Sequence, residues 1–269
     1  MLRSAQKSSF MISRIHPLPA FRDNYIWTVI DGDGGAACVV DPGEPAPVIE
    51  FLNANSLHLS DILITHHHMD HTGGLGELIG KYAPRVFGPP GIPGIGKVLA
   101  EGDRLEVFGV DFRVFEVPGH TLDHIAYFHA GSKHDTPILF CGDTLFAAGC
   151  GRLFEGTPGQ MLDSLRKLMV LPPETAVHCT HEYTMANLSF AAAADPANSE
   201  LQSRIRNEQG KRDIGKPTLP STIGLELATN PFLRCGLPDL AASAGRRLGR
   251  PPTDVTEVFA TIRTWKDQF

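Results

Sequence analysis

The feature that most constrains this chain is a run of metal-ligand side chains directly behind a buried strand. Residues 62–64 are Ile-Leu-Ile, and residues 65–71 then read Thr-His-His-His-Met-Asp-His. A short apolar run of this kind is typical of a buried strand, and imidazole and carboxylate groups are ligands that zinc and its first-row neighbours prefer. Alternate residues of an extended chain point the same way, so His66 and His68 share one side. The side chains of Asp70 and His71 then turn towards a second metal position. This spacing indicates two metal ions rather than one.

Three further candidate ligands each follow an apolar run at a separate place in the chain. His120 follows residues 112–117, Asp143 follows residues 138–140, and His181 follows Ala-Val at 176–177. Strand ends in layered α/β folds commonly carry functional residues. Each residue is weak evidence alone, but together they complete two ligand sets. His67 lies between two ligands, and we expect it to point away from the metals as a surface or supporting residue.

A nucleotide-binding loop and a serine nucleophile are both disfavoured. Residues 91–97 match G-x-x-x-x-G-K, but Val98 stands where such a loop needs Ser or Thr to hold magnesium. Pro93 also stiffens the segment, so we expect a surface loop leading into a helix. The chain has no G-x-S-x-G nucleophile elbow.

Composition favours a reduced, water-exposed environment. With 269 residues, of which 42% are hydrophobic, the chain can bury a sizeable core. No apolar run reaches the roughly 18 residues that a membrane span needs. Five cysteines without a C-x-x-C pair argue against a disulfide framework or a Cys-rich zinc site, so we expect buried thiols, a cytoplasmic location and no membrane partner.

Charge is divided unevenly along the chain. Residues 183–269 carry 11 Lys and Arg against 9 Asp and Glu, whereas the whole chain has a net charge of −6, so the preceding part carries −8. An acidic catalytic part argues against a nucleic-acid partner, whose binding relies on phosphate neutralisation. A small anionic ligand needs only a few well-placed cations and is not excluded.

The pattern of short strands and then helices predicts an α+β chain in three parts. We expect a flexible tail over residues 1–11, with translation starting at Met1 or Met11, a catalytic domain over 12–182 and a helical domain over 183–269. Alternating or apolar runs predict strands at 25–31, 36–41, 61–65, 112–117, 124–129, 137–141 and 175–179. Helical spacing predicts helices at 48–55, 76–82, 159–170, 185–194, 199–212, 223–229, 240–248 and 254–266, with strands absent beyond Tyr183.

These motifs resemble a known family. The H-x-H-x-D-H element with later His, Asp and His residues resembles the metallo-β-lactamase superfamily. Further segments from residue 12 to 269 resemble glyoxalase II (hydroxyacylglutathione hydrolase): Asn-Tyr-Ile-Trp at 24–27, residues 142–151, His-Glu-Tyr-Thr at 181–184, Asn-Pro-Phe-Leu-Arg at 230–234 and Lys-Asp-Gln-Phe at 266–269. The resemblance implies a four-layer αβ/βα sandwich followed by a small all-helical domain.

The resemblance also implies a binuclear metal centre. One metal ion would take His66, His68 and His120, and the other would take Asp70, His71 and His181. Asp143 would bridge both ions, beside a bridging hydroxide that acts as the nucleophile, which makes Asp70 and Asp143 the catalytic carboxylates. Two divalent ions are implied, with Zn²⁺ the first expectation and iron or manganese the alternatives.

A substrate follows from the same resemblance. The implied reaction is hydrolysis of S-D-lactoylglutathione to glutathione and D-lactate, the second step of methylglyoxal detoxification, by a monomer. Such a thiol leaving group has a pKa of about 8.5 and needs no strong general acid. The implied contacts to the glutathione thioester are Arg152, Phe154, Tyr183, Arg263 and Lys266. Phe154 stands where some members have tyrosine, which puts one hydrogen bond to the substrate in doubt.

Three other functions remain open at this level. A persulfide dioxygenase with a single iron would not need Asp70, His71 and His181 as ligands. A nuclease would need a basic channel or an added RNA-binding module, and neither is visible in the sequence. A non-catalytic scaffold would have lost ligands, but all seven are present. The acyl-group preference cannot be read from the sequence.

Overall fold

The strands and helices follow one another along most of the chain. The computed structural model describes residues 12–132 and 135–269, so the predicted tail lies outside the described residues. The strands are β1 (Ile12–Ala20), β2 (Asn24–Asp31), β3 (Ala36–Val40), β4 (His58–Leu63), β5 (Arg85–Gly88), β6 (Lys97–Val98), β7 (Arg104–Val107), β8 (Val110–Glu116), β9 (Ile125–His129), β10 (Ile138–Gly142), β11 (Leu145–Phe146), β12 (Gly149–Cys150), β13 (Ala176–Cys179) and β14 (Ser221–Thr222). The helices are α1 (Pro45–Asn55), α2 (Met69–Thr72), α3 (Leu75–Tyr82), α4 (Pro158–Met169), α5 (Thr184–Ala194), α6 (Ser199–Asp213), α7 (Ile223–Thr229), α8 (Pro238–Leu248) and α9 (Val255–Asp267).

Two mixed sheets pack face to face. The first has the strand order β1-β2-β3-β4-β5-β6, and the second has the order β14-β13-β10-β9-β8-β7. Strand β2 shows how the sequence builds the layers, because Tyr25, Trp27 and Val29 enter the core between the sheets whereas Ile26 joins a second core outside. This is the two-residue alternation of a strand buried on both faces. Trp27 also donates from Nε1 to the carbonyl of Cys179 at 3.0 Å, which ties the two sheets together.

Helices cover the outer faces of both sheets. Val48 and Leu52 of α1 and Leu75 and Leu78 of α3 pack in the second core, on the outer side of the first sheet. On α4, the Thr157 side chain accepts from the Gln160 amide while the Gln160 side chain accepts from the Thr157 amide. Such a reciprocal box satisfies two amide groups that the first turn of a helix otherwise leaves unpaired. The four layers are those predicted from the sequence.

Several predicted elements need correction. The short β14 pairs with β13, so the prediction that strands are absent beyond Tyr183 is wrong. The segment at 91–97 leads into β6 rather than into a helix, and that geometry lacks the helix N-terminus on which a phosphate-binding loop depends. The sequence also did not predict the strands β1, β5, β6, β7, β11 and β12 or the short helix α2. None of the helices in the described ranges is both long and apolar enough to cross a bilayer.

A buried ion pair fastens the helical part of the chain to the β11–β12 hairpin. Arg204 of α6 donates from Nη2 to Glu226 of α7 at 2.6 Å, and both side chains are buried. The other carboxylate oxygen of Glu226 accepts from the amide of Ala148 at 2.8 Å and from Asn230 at 2.9 Å. Asn230 in turn donates to the carbonyls of Phe146 and Gly149. Glu226 therefore connects the helices α6 and α7 to the β11–β12 hairpin.

We expect Glu226→Ala to lower the free energy of unfolding by about 3–5 kcal/mol, because it leaves the buried Arg204 charge without its partner. Urea unfolding followed by circular dichroism measures this loss. Glu50→Ala, at an exposed position of α1, is the matched control and should change stability by no more than about 0.5 kcal/mol. Equal effects of the two substitutions would contradict the importance of the ion pair.

A buried imidazole should make the fold sensitive to acid. His178 of β13 packs against the rings of Trp27 and Phe140, and burial lowers its pKa to about 4 despite hydrogen bonds to backbone carbonyls. The folded state therefore resists protonation that the unfolded state accepts near pH 6.5, so stability is present above that pH and is lost as the pH falls towards 4.

We expect His178→Gln to remove about 2 kcal/mol of the difference in unfolding free energy between pH 7 and pH 5. Urea titrations of both proteins at the two pH values give this difference. If the variant loses as much stability between pH 7 and pH 5 as the unsubstituted protein, His178 is not the source.

Candidate metal centre

Three imidazoles form the first donor set of the candidate centre. His66 and His68 follow β4, and His120 follows β8, so the two sheets meet at this point. Nδ1 of His68 lies 3.1 Å from Nε2 of His66 and 3.0 Å from Nε2 of His120. These three residues are a group whose nitrogen atoms can hold one metal ion.

The second donor set combines one carboxylate with two imidazoles. Asp70 and His71 lie on α2, and His181 follows β13. Oδ2 of Asp70 lies 3.5 Å from Nε2 of His71 and 3.4 Å from Nε2 of His181. Four-coordinate zinc holds its ligands at about 2.0–2.2 Å, which places neighbouring donors about 3.3–3.5 Å apart. The spacing in both sets is close to this value.

Asp143, directly after β10, lies between the two sets. Its Oδ2 atom is 3.4 Å from Nε2 of His120 in the first set and 3.3 Å from Nε2 of His181 in the second. Its Oδ1 atom is 3.5 Å from Nε2 of His71. The structure therefore brings together all seven side chains predicted as ligands, and the assignment of each to a metal stays a prediction.

The ligands are oriented through the nitrogen atoms that face away from the centre. His181 donates from Nδ1 to Asp23 at 2.8 Å, and His120 donates from Nδ1 to the carbonyl of Arg152 at 2.8 Å. Nδ1 of His71 lies 3.1 Å from Asp41. An imidazole that donates from one nitrogen offers the lone pair of the other to a metal, so the Arg152 carbonyl and Asp23 fix the tautomer and ring orientation of His120 and His181.

The charges of the cluster favour a cation. Burial alone would raise the pKa of Asp143, but His71 and His181 outweigh it and hold that pKa well below its usual range. Burial would lower the pKa of His181, but Asp143 and Asp70 raise it to about 10. Burial lowers the pKa of His66 and His68. Those two rings are therefore neutral and free to coordinate. The ionised carboxylates, by contrast, stabilise positive charge on the imidazoles of the second set.

Unpaired polar atoms support the same conclusion. Nε2 of His71 and Oδ1 of Asp143 are both buried without a hydrogen-bond partner. Buried polar atoms are rarely left unpaired, and a bound ion is one of the recognised explanations. The residues present therefore fit a group of divalent cations.

Two glycines let the backbone pass close to the ligands. A Cβ atom on Gly43 would stand 1.9 Å from the carbonyl oxygen of Asp70, and one on Gly151 would stand 2.0 Å from the carbonyl oxygen of Asp143. No side chain can be tolerated at such distances. These two positions hold the loops in contact with the ligand-bearing segments.

His67, the remaining histidine of the motif, lies outside both donor sets. Its Nδ1 atom is 2.9 Å from Asp123, its Nε2 atom is 3.5 Å from Glu155, and 42% of its side chain is exposed. The ring therefore faces the loops that flank the centre, as expected from the sequence.

A cavity of about 650 Å³ opens above the donor sets. The five residues predicted to contact substrate all line it, and their contact with substrate stays a prediction: Arg152, Phe154, Tyr183, Arg263 and Lys266. The Phe154 ring lies over His68 and His120, with ring centres 5.6 and 5.2 Å apart. Tyr183 stacks on His181, with ring centres 4.6 Å apart and nearly parallel planes.

The two guanidinium groups of the cavity share one carboxylate. Nε of Arg152 lies 3.2 Å and Nη2 of Arg263 3.0 Å from Oδ1 of Asp267. Arg263 is buried and also donates to the carbonyl of Cys150 at 2.9 Å. Asp267 belongs to α9 and Arg152 follows β12, so this contact joins the chain's helical end to the loop beside the centre.

Sequence reasoning missed the residues that orient the ligands. Asp23, Asp41 and His124 are the principal ones. Nε2 of His124 accepts from the amide of Asp143 at 3.0 Å, and the His124 ring stacks on His66 with ring centres 4.5 Å apart. Asp41 follows β3, so its place at a strand end was the available signal for that residue.

Comparisons with known proteins agree with this geometry. The pattern of the Metallo-beta-lactamase superfamily matches residues 24–181, and the pattern described as Hydroxyacylglutathione hydrolase C-terminus matches residues 182–269. The Hydroxyacylglutathione hydrolase of Pseudomonas paraeruginosa is 52% identical over 259 residues, 95% of this chain and 99% of that protein. This chain belongs to the hydroxyacylglutathione hydrolase family. The Pseudomonas fluorescens protein of the same name is 49% identical over the same shares of the two chains.

Solved structures support the fold of this hydroxyacylglutathione hydrolase family member. BLEG-1 B3 metallo-beta-lactamase matches with a TM-score of 0.59 at 22% identity, over 82% of this chain and 99% of that one. TTHA1623, described in a di-iron-bound form, matches with a TM-score of 0.56 at 27% identity, over 81% of this chain and 100% of that one. The family and the donor groups together imply bound divalent metal ions.

We expect His66→Asn to lower the metal content of the purified protein, because it removes one nitrogen donor from the first set. His67→Asn is the matched control, since it changes the neighbouring histidine and leaves both donor sets intact. Elemental analysis after dialysis measures the content. His68→Asn, at a partly exposed position, repeats the test should the buried His66 variant fold poorly. Equal metal loss in the His67 and His68 variants would contradict the assignment of donors.

Proposed function

We propose that this chain hydrolyses S-(2-hydroxyacyl)glutathione thioesters, with S-D-lactoylglutathione as the first substrate to test. The products would be glutathione and D-lactate, as in the second step of methylglyoxal detoxification. The observation that carries the proposal is the cavity itself. Its floor holds two donor sets with Asp143 between them, and its wall holds three cationic side chains.

The proposed centre holds two divalent ions, with Zn²⁺ expected first and iron or manganese as alternatives. When bound, two such ions would supply a nucleophile at neutral pH and polarise the thioester carbonyl. His66, His68 and His120 would hold one of them, and Asp70, His71 and His181 the other. Asp143 faces both sets, and Asp70 belongs to the second. We propose these two residues as the catalytic carboxylates.

The side chains around the centre would orient the thioester. Phe154 packs at a steep angle against the rings of His68 and His120 and would keep water from that side of the reacting carbon. Burial, followed by Asp23 and Asp143, raises the pKa of Tyr183, so its hydroxyl remains protonated and can donate a hydrogen bond. The leaving group would be a thiolate, whose parent thiol has a pKa of about 8.5, so no general acid is required.

The cationic wall would bind the peptide part of the substrate. Glutathione carries two carboxylates, and Arg152, Arg263 and Lys266 line the same cavity. Charge-assisted hydrogen bonds to carboxylates are the strong class of such contacts. The remote carboxylates would then anchor the ligand while the thioester reaches the donor sets.

We also propose a setting for this activity. The proposed catalytic domain at 12–182 and the helical, glutathione-binding domain at 183–269 meet within one residue of the border between the two matched family patterns. A cytoplasmic monomer acting on a small molecule, without a nucleic-acid or membrane partner, is consistent with the charge distribution and the free, buried cysteines.

The proposal is tested by combining metal analysis with an assay on S-D-lactoylglutathione. Near two metal ions per chain and release of free thiol would support it. One iron per chain with oxygen uptake on glutathione persulfide, and no thioester hydrolysis, would replace it with an oxygenase function.

We expect Lys266→Ala to raise KM for S-D-lactoylglutathione by about ten- to a hundredfold, because a hydrogen bond to a charged group contributes about 1.5–3 kcal/mol. The turnover number should change much less, since the contact is remote from the reacting carbon. Steady-state kinetics measures both quantities. Lys81→Ala, at an exposed position of α3, whose apolar side packs in the second core outside the first sheet, is the control. Equal losses in kcat and kcat/KM at Lys266 would contradict the proposed role.

A further inference from the structure

The three cations of the cavity are held in two different ways. Arg152 and Arg263 share the carboxylate of Asp267, and Arg263 also bonds the Cys150 carbonyl. Lys266 donates only a long hydrogen bond of 3.4 Å, to the carbonyl of Ala186. Among the residues that the structure describes, no carboxylate lies within 4.0 Å of its ammonium group. Its position must therefore depend on other contacts.

Two aromatic rings supply those contacts. The Lys266 ammonium lies 5.4 Å from the ring centre of Phe190 and 5.9 Å from that of Phe269. Attraction between a cation and a ring face acts within about 6 Å, so both rings are within range. The two rings also meet each other edge to face, with centres 5.4 Å apart. The lysine head group therefore sits beside an aromatic pair.

The two rings differ in what else they do. Phe190 is fully buried and packs against Phe232 and Trp265, so it belongs to the core. Phe269 is 60% exposed, and the turn after α9 brings it back, through a hydrogen bond of 3.1 Å between Gln268 and Trp265. A large ring that stays exposed adds little to the core. Phe269 instead lies beside Lys266, which lines the cavity.

We infer that Phe269 is a positioning residue for ligand binding, whose ring holds the Lys266 ammonium at the cavity wall for a carboxylate of the ligand. The inference rests on the proposed function, because it takes the glutathione moiety as that ligand. Without the ring, the flexible lysine side chain would sample other rotamers, and the ligand would have to order it on binding.

The test compares Phe269→Leu, which keeps apolar bulk and loses the ring, with Phe269→Tyr, which keeps the ring. Isothermal titration calorimetry with glutathione measures binding without turnover. Kinetics with S-D-lactoylglutathione gives KM and kcat. A cation–ring contact at an exposed site accounts for a change of about two- to fivefold. We expect Phe269→Leu to raise Kd and KM by that factor with kcat preserved, and Phe269→Tyr to match the unsubstituted protein.

A double-mutant cycle separates positioning from a general structural effect. In the Lys266→Ala background, Phe269→Leu should change Kd no further, since the group that the ring holds is already gone. An S-acetyl-N-acetylcysteamine thioester, which lacks the carboxylates of glutathione, should show the same KM with either residue at 269.

Three outcomes would overturn the inference: an unchanged Kd in Phe269→Leu, an equal loss in Phe269→Tyr, or a full loss in the Lys266→Ala background. In each of these the unsubstituted protein still hydrolyses S-D-lactoylglutathione, so the proposed function would stand. If the unsubstituted protein neither hydrolyses the thioester nor binds glutathione, the proposed function fails and this inference fails with it.

Discussion

The burial of one carboxylate sets the conditions that the rest of the centre has to meet. Asp143 is 6% exposed and lies within 3.5 Å of His71, His120 and His181. An ionised carboxylate with so little exposed surface is costly unless it is paired. The surrounding imidazoles supply that compensation, and cations bound between the donor sets would supply more. His124 holds the amide of Asp143, so the position of the charge is fixed through the backbone as well as through the ligands.

The ligands could be predicted because their signal is local. Each follows an apolar run, and strand ends on facing sheets come together in this fold. The orienting residues could not be predicted in the same way, because Asp23 in a turn has the appearance of an ordinary turn residue until its partner His181, 158 positions away, is placed. Strand β1 escaped detection since Pro17 and Pro19 lie within it, and proline is compatible only with the edge position that β1 occupies. Strand β14 is two residues long and has no periodicity to detect.

The cavity wall depends on contacts between distant parts of the chain. Asp267 of α9 holds Arg152, which follows β12, and Glu226 of α7 holds the amide of Ala148 in the β11–β12 turn. Neither contact could be deduced from spacing along the sequence, because each joins residues 78 or more positions apart. Both act on the segment between Asp143 and Phe154, which connects the donor sets to the proposed peptide-binding wall. The helical part of the chain therefore shapes the cavity from two sides.

Negative and positive side chains lie on different sides of this cavity, and their separation determines which way a charged ligand is oriented in it. The floor carries the carboxylates of Asp70 and Asp143, and the wall carries Arg152, Arg263 and Lys266. The whole chain has a net charge of −6, which by itself would repel an anionic thioester. At physiological ionic strength, however, exposed charges are screened beyond about 8 Å, so distant acidic residues contribute little at the wall. Recognition of an anionic ligand must then come from contact with these three cations, and the placement of each head group matters more than the overall charge.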